Sequence, residues 1–227
     1  MRPLFQLGPR LALCASLVRE GKALCDVGTD HGYLPIWLLK TGRIPRALAC
    51  DINQGPLDAA RRDGAKYEAG DALSFRLSDG LREVSPEEAE DVVIAGMGGE
   101  LILRIVGETP WLRDQDKRLI LQPMSSVPEL RLGLAELGFA VLQEEAVEEG
   151  TKVYSAFAAE YTGRPEETGP LYPCLGKLRP GAPHVDAYAR KVLRELASQR
   201  KGALHTGDAA GAARLEELIR EVEEMYL

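Results

Sequence analysis

Two short polar segments that end apolar runs contain residue types suited to binding a nucleoside. Asp26 and Gly28 lie at the end of the run 23–27, and Asp51 follows the run 46–50. Glycine lets the backbone turn tightly and approach a ligand closely, and a carboxylate that ends the next strand can accept hydrogen bonds from both ribose hydroxyl groups. The pair predicts a site for an adenosyl group. A helix-capping role for Asp51 and an ordinary strand-to-helix turn at Gly28 are the alternatives.

Two later turn segments carry further signals for the same site. Asp79, in an Asp-Gly pair after a third apolar run, can accept a hydrogen bond from an adenine amino group, although Asp-Gly is also a common turn dipeptide. Residues 96–99 (GMGG) follow the run 91–95, and their glycines leave room for a planar base. Three glycines in four residues cost conformational entropy, which disfavours an ordinary turn.

The elements that must position these segments alternate between strand and helix. Helices are predicted over residues 8–20, 33–40, 56–66, 100–106 and 127–137, and strands over residues 23–27, 46–50, 73–77, 91–95 and 117–122, where Pro123 should stop the strand. Such alternation predicts an α/β fold, with a mostly parallel sheet and helices on both faces. Two more strands, 139–145 and 152–160, flank a turn so short that they can pair only antiparallel. An open parallel sheet with an antiparallel last strand is the usual arrangement in methyltransferases.

The C-terminal part has a different character. Residues 163–183 are rich in proline and glycine, which predicts a linker, and apolar residues then recur at helical spacing over 185–196 and 215–225. Two amphipathic helices in succession predict a coiled-coil-like antiparallel hairpin. The sequence therefore divides into a domain of residues 1–162 and a small helical domain of residues 163–227. The hairpin can serve to pack on the main domain or to clamp a large substrate.

Composition and charge limit the class of protein. The chain has 227 residues, and its apolar runs are too short to cross a bilayer. Its first residues contain no signal region, so we expect a cytoplasmic monomer that binds no membrane. Four cysteines without a C-x-x-C pair and three scattered histidines predict no metal site.

The net charge of −7 is unevenly distributed along the chain. Residues 1–66 carry ten Lys/Arg and six Asp/Glu, whereas residues 67–162 carry eight and nineteen. An acidic protein with a basic N-terminal third can hold a polyanion on one face. An equally good alternative is that these charges only keep the surface solvated and bind nothing.

Six blocks of sequence resemble the bacterial tRNA (adenine-N1)-methyltransferases that act on nucleotide 22. The blocks cover about residues 7 to 160 and read DVGTDHGYLP, DINQGP, LSDGL, VIAGMGGELI, RLILQPM and EEGTKVYSAFAAE. The C-terminal helical hairpin is similar to the small second domain of that family. The chain departs from the family pattern at Met124, where many members have asparagine, and at Gly8-Pro9. The resemblance implies a Rossmann-like class I methyltransferase fold, S-adenosylmethionine as methyl donor, and tRNA as acceptor.

The turn segments and the resemblance together predict the residues that bind the cofactor. These are Asp26, Gly28, Thr29, His31, Gly32, Asp51, Ile52, Asn53, Asp79, Gly80, Ala95, Gly96, Met97 and Gly98. For His31 a structural role is favoured over a hydrogen bond to the substrate.

The chemistry of the implied reaction predicts two catalytic residues. Adenine N1 already carries a lone pair, so positioning and a negative charge near the forming cation are what help. We expect Asp30 to supply that charge and Tyr33 to stack on or hold the base. Because N1 lies on the Watson–Crick edge, the target adenine must be unpaired or flipped out.

A bound tRNA needs cationic side chains that hold its phosphates. The candidates in the basic N-terminal third are Arg10, Lys22, Arg43, Arg61 and Arg62. Those in the helical hairpin are Lys191, Arg194, Arg200 and Lys201.

Other functions compete with this interpretation. A small-molecule methyltransferase of the same fold would explain the acidic net charge. A NAD-dependent oxidoreductase is disfavoured because the chain lacks G-x-G-x-x-G, and a triphosphate site is disfavoured because it lacks a Walker lysine. A catalytically silent RNA-binding module is disfavoured because the predicted cofactor loops are intact.

Overall fold

Seven strands form one sheet in the computed structural model, which describes residues 3–166 and 168–227. The strands are β1 (Leu24–Val27), β2 (Ala47–Asp51), β3 (Leu73–Leu77), β4 (Asp91–Gly98), β5 (Arg118–Ser125), β6 (Phe139–Glu149) and β7 (Lys152–Tyr161). Their order across the sheet is β3-β2-β1-β4-β5-β7-β6. Strand β7 is antiparallel to both of its neighbours, and the other pairs are parallel. The predicted α/β fold with an antiparallel last strand is confirmed.

Helices cover both faces of this sheet. They are α1 (Pro9–Leu17), α2 (Tyr33–Lys40), α3 (Gln54–Lys66), α4 (Gly99–Gly107), α5 (Val127–Glu136), α6 (Tyr172–Leu175), α7 (Val185–His205) and α8 (Ala209–Tyr226). Val92 and Ile94 of β4 join a core under α4 and α5, whereas Val93 joins a second core under α1 and α2. Because both faces of the central strands are buried, their sequences are continuous apolar runs rather than alternating ones.

Strands β4, β5 and β6 extend three or four residues beyond their predicted ends. The glycine-rich segment after Ala95 continues β4 to Gly98, with an irregular register against β5. Strand β5 passes through Pro123, which pairs with Met97, so the prediction that proline stops the strand is wrong. The reason is that β7 pairs with β5 only as far as Leu121. Beyond that residue β5 has one paired edge, where a proline is tolerated.

The predicted C-terminal helices are present as α7 and α8, joined by residues 206–208. The predicted linker contains the short helix α6. Val192 and Val222 of the two long helices share an apolar cluster with Ala146 and Val153 of the β6–β7 hairpin. The helical hairpin therefore packs against the sheet, and the boundary at residues 162 and 163 remains a prediction. Met1, Arg2 and Glu167, which the predicted domains include, lie outside the described residues.

A buried ion pair strengthens this contact. Arg131 of α5 pairs with Glu144 of β6, and both side chains are inaccessible to solvent. Arg131 also donates hydrogen bonds to the Pro173 carbonyl oxygen over 2.8 Å and to the Tyr188 hydroxyl over 3.3 Å. The guanidinium thus links the main domain to the linker and to α7.

Among residues 3–166 and 168–227, no helix combines the length and apolarity that a bilayer-spanning segment requires. Over the same residues, no group of three or more His, Cys, Asp or Glu side chains is arranged to hold a metal ion.

Candidate active site

A cavity of about 420 Å³ opens at the carboxyl ends of β1, β4 and β5. It lies where the chain order reverses between β1 and β4, the position at which open α/β sheets bind ligands. It is lined by Arg10, Leu11, Asp26, Gly28, Thr29, Asp30, Tyr33, Leu34, Ala95, Gly96, Gln122 and Met124. The fold thus brings Asp26 and most residues of the loop after β1 together with Ala95 and Gly96 of β4, whereas the other predicted cofactor residues are not in its lining. We call this cavity the catalytic cleft.

The loop after β1 is held tightly against its neighbours. Gly28 has φ +75°, and its N–H and that of Thr29 donate hydrogen bonds to the Cys50 carbonyl oxygen over 2.8 and 3.0 Å. A Cβ atom at Gly28 would lie 2.1 Å from the Met97 methyl carbon. The backbone angle favours glycine, and a side chain at this position would also displace the end of the Met97 side chain. Gly32, with φ +65°, precedes the first residue of α2.

Two buried polar side chains line the cleft here, Asp26 in the last part of β1 and Thr29 in the loop that follows. The Asp26 carboxyl is buried and has no Lys, Arg or His nitrogen within 4.0 Å in the described part of the chain. Burial, assisted by the negative charge of Asp51, raises its pKa to about 6. The buried Thr29 Oγ1 lacks a hydrogen-bond partner among the described residues. Such orphaned groups fit a polar ligand, because unsatisfied buried polar atoms are otherwise costly.

Two further carboxylates follow β2 and β3 at the same edge of the sheet. Asp51 accepts a hydrogen bond from the Asn53 N–H over 2.7 Å, which orders the turn that also contains Ile52. The Asp79 carboxylate pairs with Arg104 and Arg82, and these cations lower its pKa. An ionised carboxylate can accept about four hydrogen bonds, so both groups retain acceptor capacity.

Gly80, a predicted cofactor residue, has a clear packing role. Its φ is +61°, and a Cβ atom there would lie 2.9 Å from Ile105 Cγ1 of α4. The glycine therefore allows the turn after β3 to approach that helix. Gly98 lies near Ser125 Oγ across the β4–β5 edge, 3.2 Å from the position of an added Cβ atom.

Aromatic rings cluster at the mouth of the cleft. The Tyr33 and His31 rings stack at 5.2 Å with an interplanar angle of 6°, and Phe5 contacts Tyr33 edge to face. His31 Nδ1 lies 2.8 Å from an Asp63 carboxylate oxygen of α3. This contact supports the structural role favoured for His31. The Asp30 side chain is 79% exposed beside these rings, with one carboxylate oxygen 3.7 Å from His31 Nε2.

Gln122, which is not among the predicted site residues, lies in the cleft wall. Its buried side-chain oxygen accepts hydrogen bonds from the Gly96 N–H and from Arg10 Nη1, both over 3.2 Å. The sequence feature that could have identified Gln122 is its position in the block RLILQPM, where a polar residue ends an otherwise apolar strand. Gln122 couples the glycine segment of β4 to the N-terminal helix.

Arg10, a predicted RNA contact, lies inside this network. Its side chain pairs with Glu149 of β6, and its guanidinium carbon lies 5.1 Å from the centre of the Tyr154 ring. Arg10 Nη1 is also 3.1 Å from Met124 Sδ. Arg10 therefore forms part of the cleft wall, at the border between α1 and the β6–β7 hairpin.

The other N-terminal candidates for RNA binding are dispersed over the surface. Lys22 pairs with Glu90 over 2.6 Å, and Arg43 donates a hydrogen bond to the Val18 carbonyl oxygen over 2.7 Å. Both residues precede strands, so they lie at the amino edge of the sheet, opposite the cleft. Arg61 pairs with Asp58 on α3, where Arg62 is exposed.

The C-terminal candidates fall into two pairs. Lys191 and Arg194 line a second cavity, which also includes Met124. Arg200 forms an ion pair with Glu216 of α8, and Lys201 is exposed near the end of α7. Only the first pair lies next to the catalytic cleft.

Comparison with known proteins agrees with the geometry of the site. Residues 7–157 match the family model described as a methyltransferase domain, and the chain belongs to that family. The tRNA (adenine(22)-N(1))-methyltransferase of Bacillus subtilis is 34% identical over 155 residues, which are 68% of this chain and 65% of that protein. The matched region thus spans slightly less than two thirds of that relative's length.

Solved structures extend the similarity to the whole chain. The B. subtilis m1A22 tRNA methyltransferase TrmK matches with a TM-score of 0.72 and 27% identity over 97% of both chains. A Streptococcus pneumoniae structure in complex with S-adenosyl-L-methionine matches with a TM-score of 0.76 and 28% identity, over 95% of this chain and 97% of that one. The resemblance stated from the six sequence blocks is confirmed.

Proposed function

We propose that this chain transfers a methyl group from S-adenosylmethionine to N1 of an unpaired adenine in tRNA, at nucleotide 22. The observation that carries the proposal is the match to the B. subtilis m1A22 tRNA methyltransferase over 97% of both chains, which includes the helical hairpin as well as the cleft. The predicted cofactor is confirmed at the level of the family, since a relative of the same fold holds S-adenosyl-L-methionine.

The residues around the cleft suit this cofactor, which supplies an electrophilic methyl group when bound. Asp51 would accept hydrogen bonds from the ribose hydroxyls, and Asp79 one from the adenine amino group. Gly28 and Gly96 allow the backbone to approach the ligand closely. Asp26 and the orphaned Thr29 hydroxyl would complete the polar contacts at the base of the loop.

The target adenine would enter from the open side of the cleft. Tyr33 would hold the base by stacking, and the cleft wall around Gly96 and Gln122 would orient N1 along the line of transfer. N1 needs no general base, because its lone pair is free. The product base is a cation, and the exposed Asp30 carboxylate would stabilise the charge as it forms.

The proposal also includes how the chain holds tRNA and in what oligomeric state it works. Cations at the cleft side of the molecule would hold tRNA phosphates, whereas Lys22 and Arg43, at the opposite edge, would reach only a distant part of the RNA. The chain would work as a monomer in the cytoplasm, where bacterial tRNA is modified. Size-exclusion chromatography with light scattering, with and without tRNA, measures the molar mass and so tests whether the chain is a monomer.

Methyl transfer from radiolabelled S-adenosylmethionine into unmodified bacterial tRNA tests the reaction. We expect label to be recovered as 1-methyladenosine after nucleoside analysis. A transcript with guanine in place of adenine 22 is the control and should remain unlabelled. Cofactor binding by calorimetry without label in any RNA would exclude the tRNA reaction and favour a small-molecule acceptor, the function that the acidic net charge suits best.

A further inference from the structure

A groove of about 460 Å³ separates the tip of the β6–β7 hairpin from α7. Its walls carry four basic side chains, which are Lys152 from the hairpin and Arg190, Lys191 and Arg194 from α7. We call this cavity the basic groove. The groove requires both parts of the molecule, because the sheet supplies one wall and the helical hairpin supplies the other.

These four cations lack a carboxylate partner among the described residues, whereas about half of the other basic side chains have one. Within residues 3–166 and 168–227, none of them lies within 4.0 Å of a carboxylate oxygen, whereas Arg10, Arg118 and Lys177 are examples of paired cations. Glu148 also lines the groove, so its walls carry four cations and one carboxylate and remain positively charged. In a protein of net charge −7, four cations that share one groove and have no carboxylate partner among the described residues favour an anionic ligand.

The basic groove is continuous with the catalytic cleft. Met124 at the end of β5 lines both cavities. Arg10 of the cleft wall contacts Met124 Sδ and lies over the ring of Tyr154, which faces the groove. An anion in the groove would therefore lie beside the site of methyl transfer.

We propose that the basic groove binds the backbone phosphates that flank the target adenine, an inference that rests on the proposed function. A nucleotide flipped out for reaction places its base in a pocket while its two phosphates remain at the pocket rim. Lys152, Arg190, Lys191 and Arg194 receive those phosphates, and the acceptor base turns past Met124 into the cleft. Phosphate contacts of this kind set position and affinity, and they carry no sequence information.

Removal of two groove cations tests the proposal. We expect the double variant Lys191→Ala/Arg194→Ala to bind a tRNA transcript about tenfold more weakly at physiological salt, and the slope of log affinity against log salt to fall by roughly 1.5. The matched control is Arg214→Ala/Arg220→Ala, which removes two exposed positive charges from α8 and should leave both quantities unchanged. Equal losses in the two double variants would overturn the proposal. Thermal unfolding and binding of S-adenosylhomocysteine verify that each variant is folded.

A second experiment locates the phosphates by modifying the RNA as well as the protein. A tRNA assembled with neutral methylphosphonate linkages on both sides of adenine 22 should bind the unaltered protein about tenfold more weakly than unmodified tRNA does. The loss should be clearly smaller in Lys191→Ala/Arg194→Ala, where only Lys152 and Arg190 remain to contact those phosphates. Additive losses would place the groove contacts elsewhere on the RNA and overturn the proposal. Failure of the unaltered protein to methylate tRNA at all would instead contradict the proposed function.

Discussion

Two buried aspartates in neighbouring strands have opposite surroundings. Asp91, at the amino end of β4, accepts hydrogen bonds from the Arg19 N–H and from Arg19 Nε, each over 2.7 Å. Asp26, near the carboxyl end of β1, has no cationic partner in the described residues. Burial raises the pKa of both carboxyls, and Arg19 opposes the rise at Asp91. One carboxylate is satisfied by the protein itself, and the other is left for a ligand.

The same contrast holds for other residues at the two edges of the sheet. At the amino edge, Glu90 pairs with Lys22, and Lys117 donates hydrogen bonds to two backbone carbonyl oxygens. At the carboxyl edge, the Thr29 hydroxyl is orphaned and the Asp30 side chain is exposed. The amino edge therefore contributes stability, whereas the carboxyl edge retains unsatisfied polar groups that can bind cofactor and substrate.

The largest expected effect is at the amino edge. Asp91→Ala leaves Arg19 without its partner in a largely buried position, so we expect a loss of about 3 kcal/mol in the free energy of unfolding. Urea denaturation measures the loss. The cofactor affinity of the folded variant should not change, because Asp91 is at the opposite edge from the cleft. A loss below about 1 kcal/mol, typical of an exposed ion pair, would contradict this role.

At the carboxyl edge, Asp51→Ala should affect binding rather than stability. Two hydrogen bonds from ribose hydroxyls to a charged acceptor would be lost, and we expect S-adenosylhomocysteine to bind about 100-fold more weakly. Isothermal titration calorimetry measures the affinity. The matched control is Glu90→Ala, which removes a paired carboxylate from the amino edge and should leave cofactor affinity unchanged. Equal affinity losses in the two variants would remove Asp51 from the cofactor site.

The raised pKa of Asp26 predicts that the stability of the protein depends on pH. Its pKa of about 6 in the folded protein exceeds its ordinary value of 3.8, so the folded state binds the proton more tightly than the unfolded state does. Stability contributed by this group is therefore present at low pH and is lost as pH rises from about 4 to about 6. Asp26→Asn removes this loss, and we expect it to stabilise the protein without cofactor by roughly 2 kcal/mol at neutral pH.

Urea denaturation of the unaltered protein and of Asp26→Asn at pH 4 and pH 7.5 checks this prediction. The variant should be the more stable at the higher pH and should bind S-adenosylhomocysteine more weakly. A variant less stable than the unaltered protein at pH 7.5 would show that Asp26 has a stabilising partner, as Asp91 has.

The smallest expected effect concerns Asp30, which is exposed and therefore screened by solvent. Asp30→Asn should lower kcat for tRNA methylation about tenfold, with unchanged cofactor affinity, because the charge would act only on the forming cation. Single-turnover kinetics with saturating tRNA measure this change. Asp71→Asn, an exposed carboxylate before β3 at the amino edge, is the control. Full turnover in Asp30→Asn would exclude Asp30 from the mechanism.

Much of the fold could be predicted because it depends on local patterns. Helix α2 and strand β3 have their predicted bounds, since apolar periodicity and glycine breaks mark both ends. The continuation of β5 through Pro123 could not be predicted, because whether proline interrupts a strand depends on which neighbour pairs with it there. The short helix α6 in the predicted linker lacked a periodic signal long enough to detect.

The site shows the same division. The cofactor loop could be predicted because strand, glycine turn and helix are consecutive in the chain. Gln122 was missed because its role depends on two partners, Arg10 and Gly96, which come from other elements. The predicted RNA contacts were a list of cations, and sequence does not show which of them have carboxylate partners.

The sequence by itself determined the order of strands and helices, the glycine turns at the carboxyl edge, and a family resemblance that names donor and acceptor. Each of these depends on residues that are close together in the chain. Only the tertiary structure decided which charges neutralise one another and which remain available. Arg10 pairs with Glu149, which is 139 positions away in the chain. Lys152 and the cations of α7 line opposite walls of the basic groove. Electrostatic interactions act through space over a few ångströms, so their partners are set by packing rather than by position in the chain.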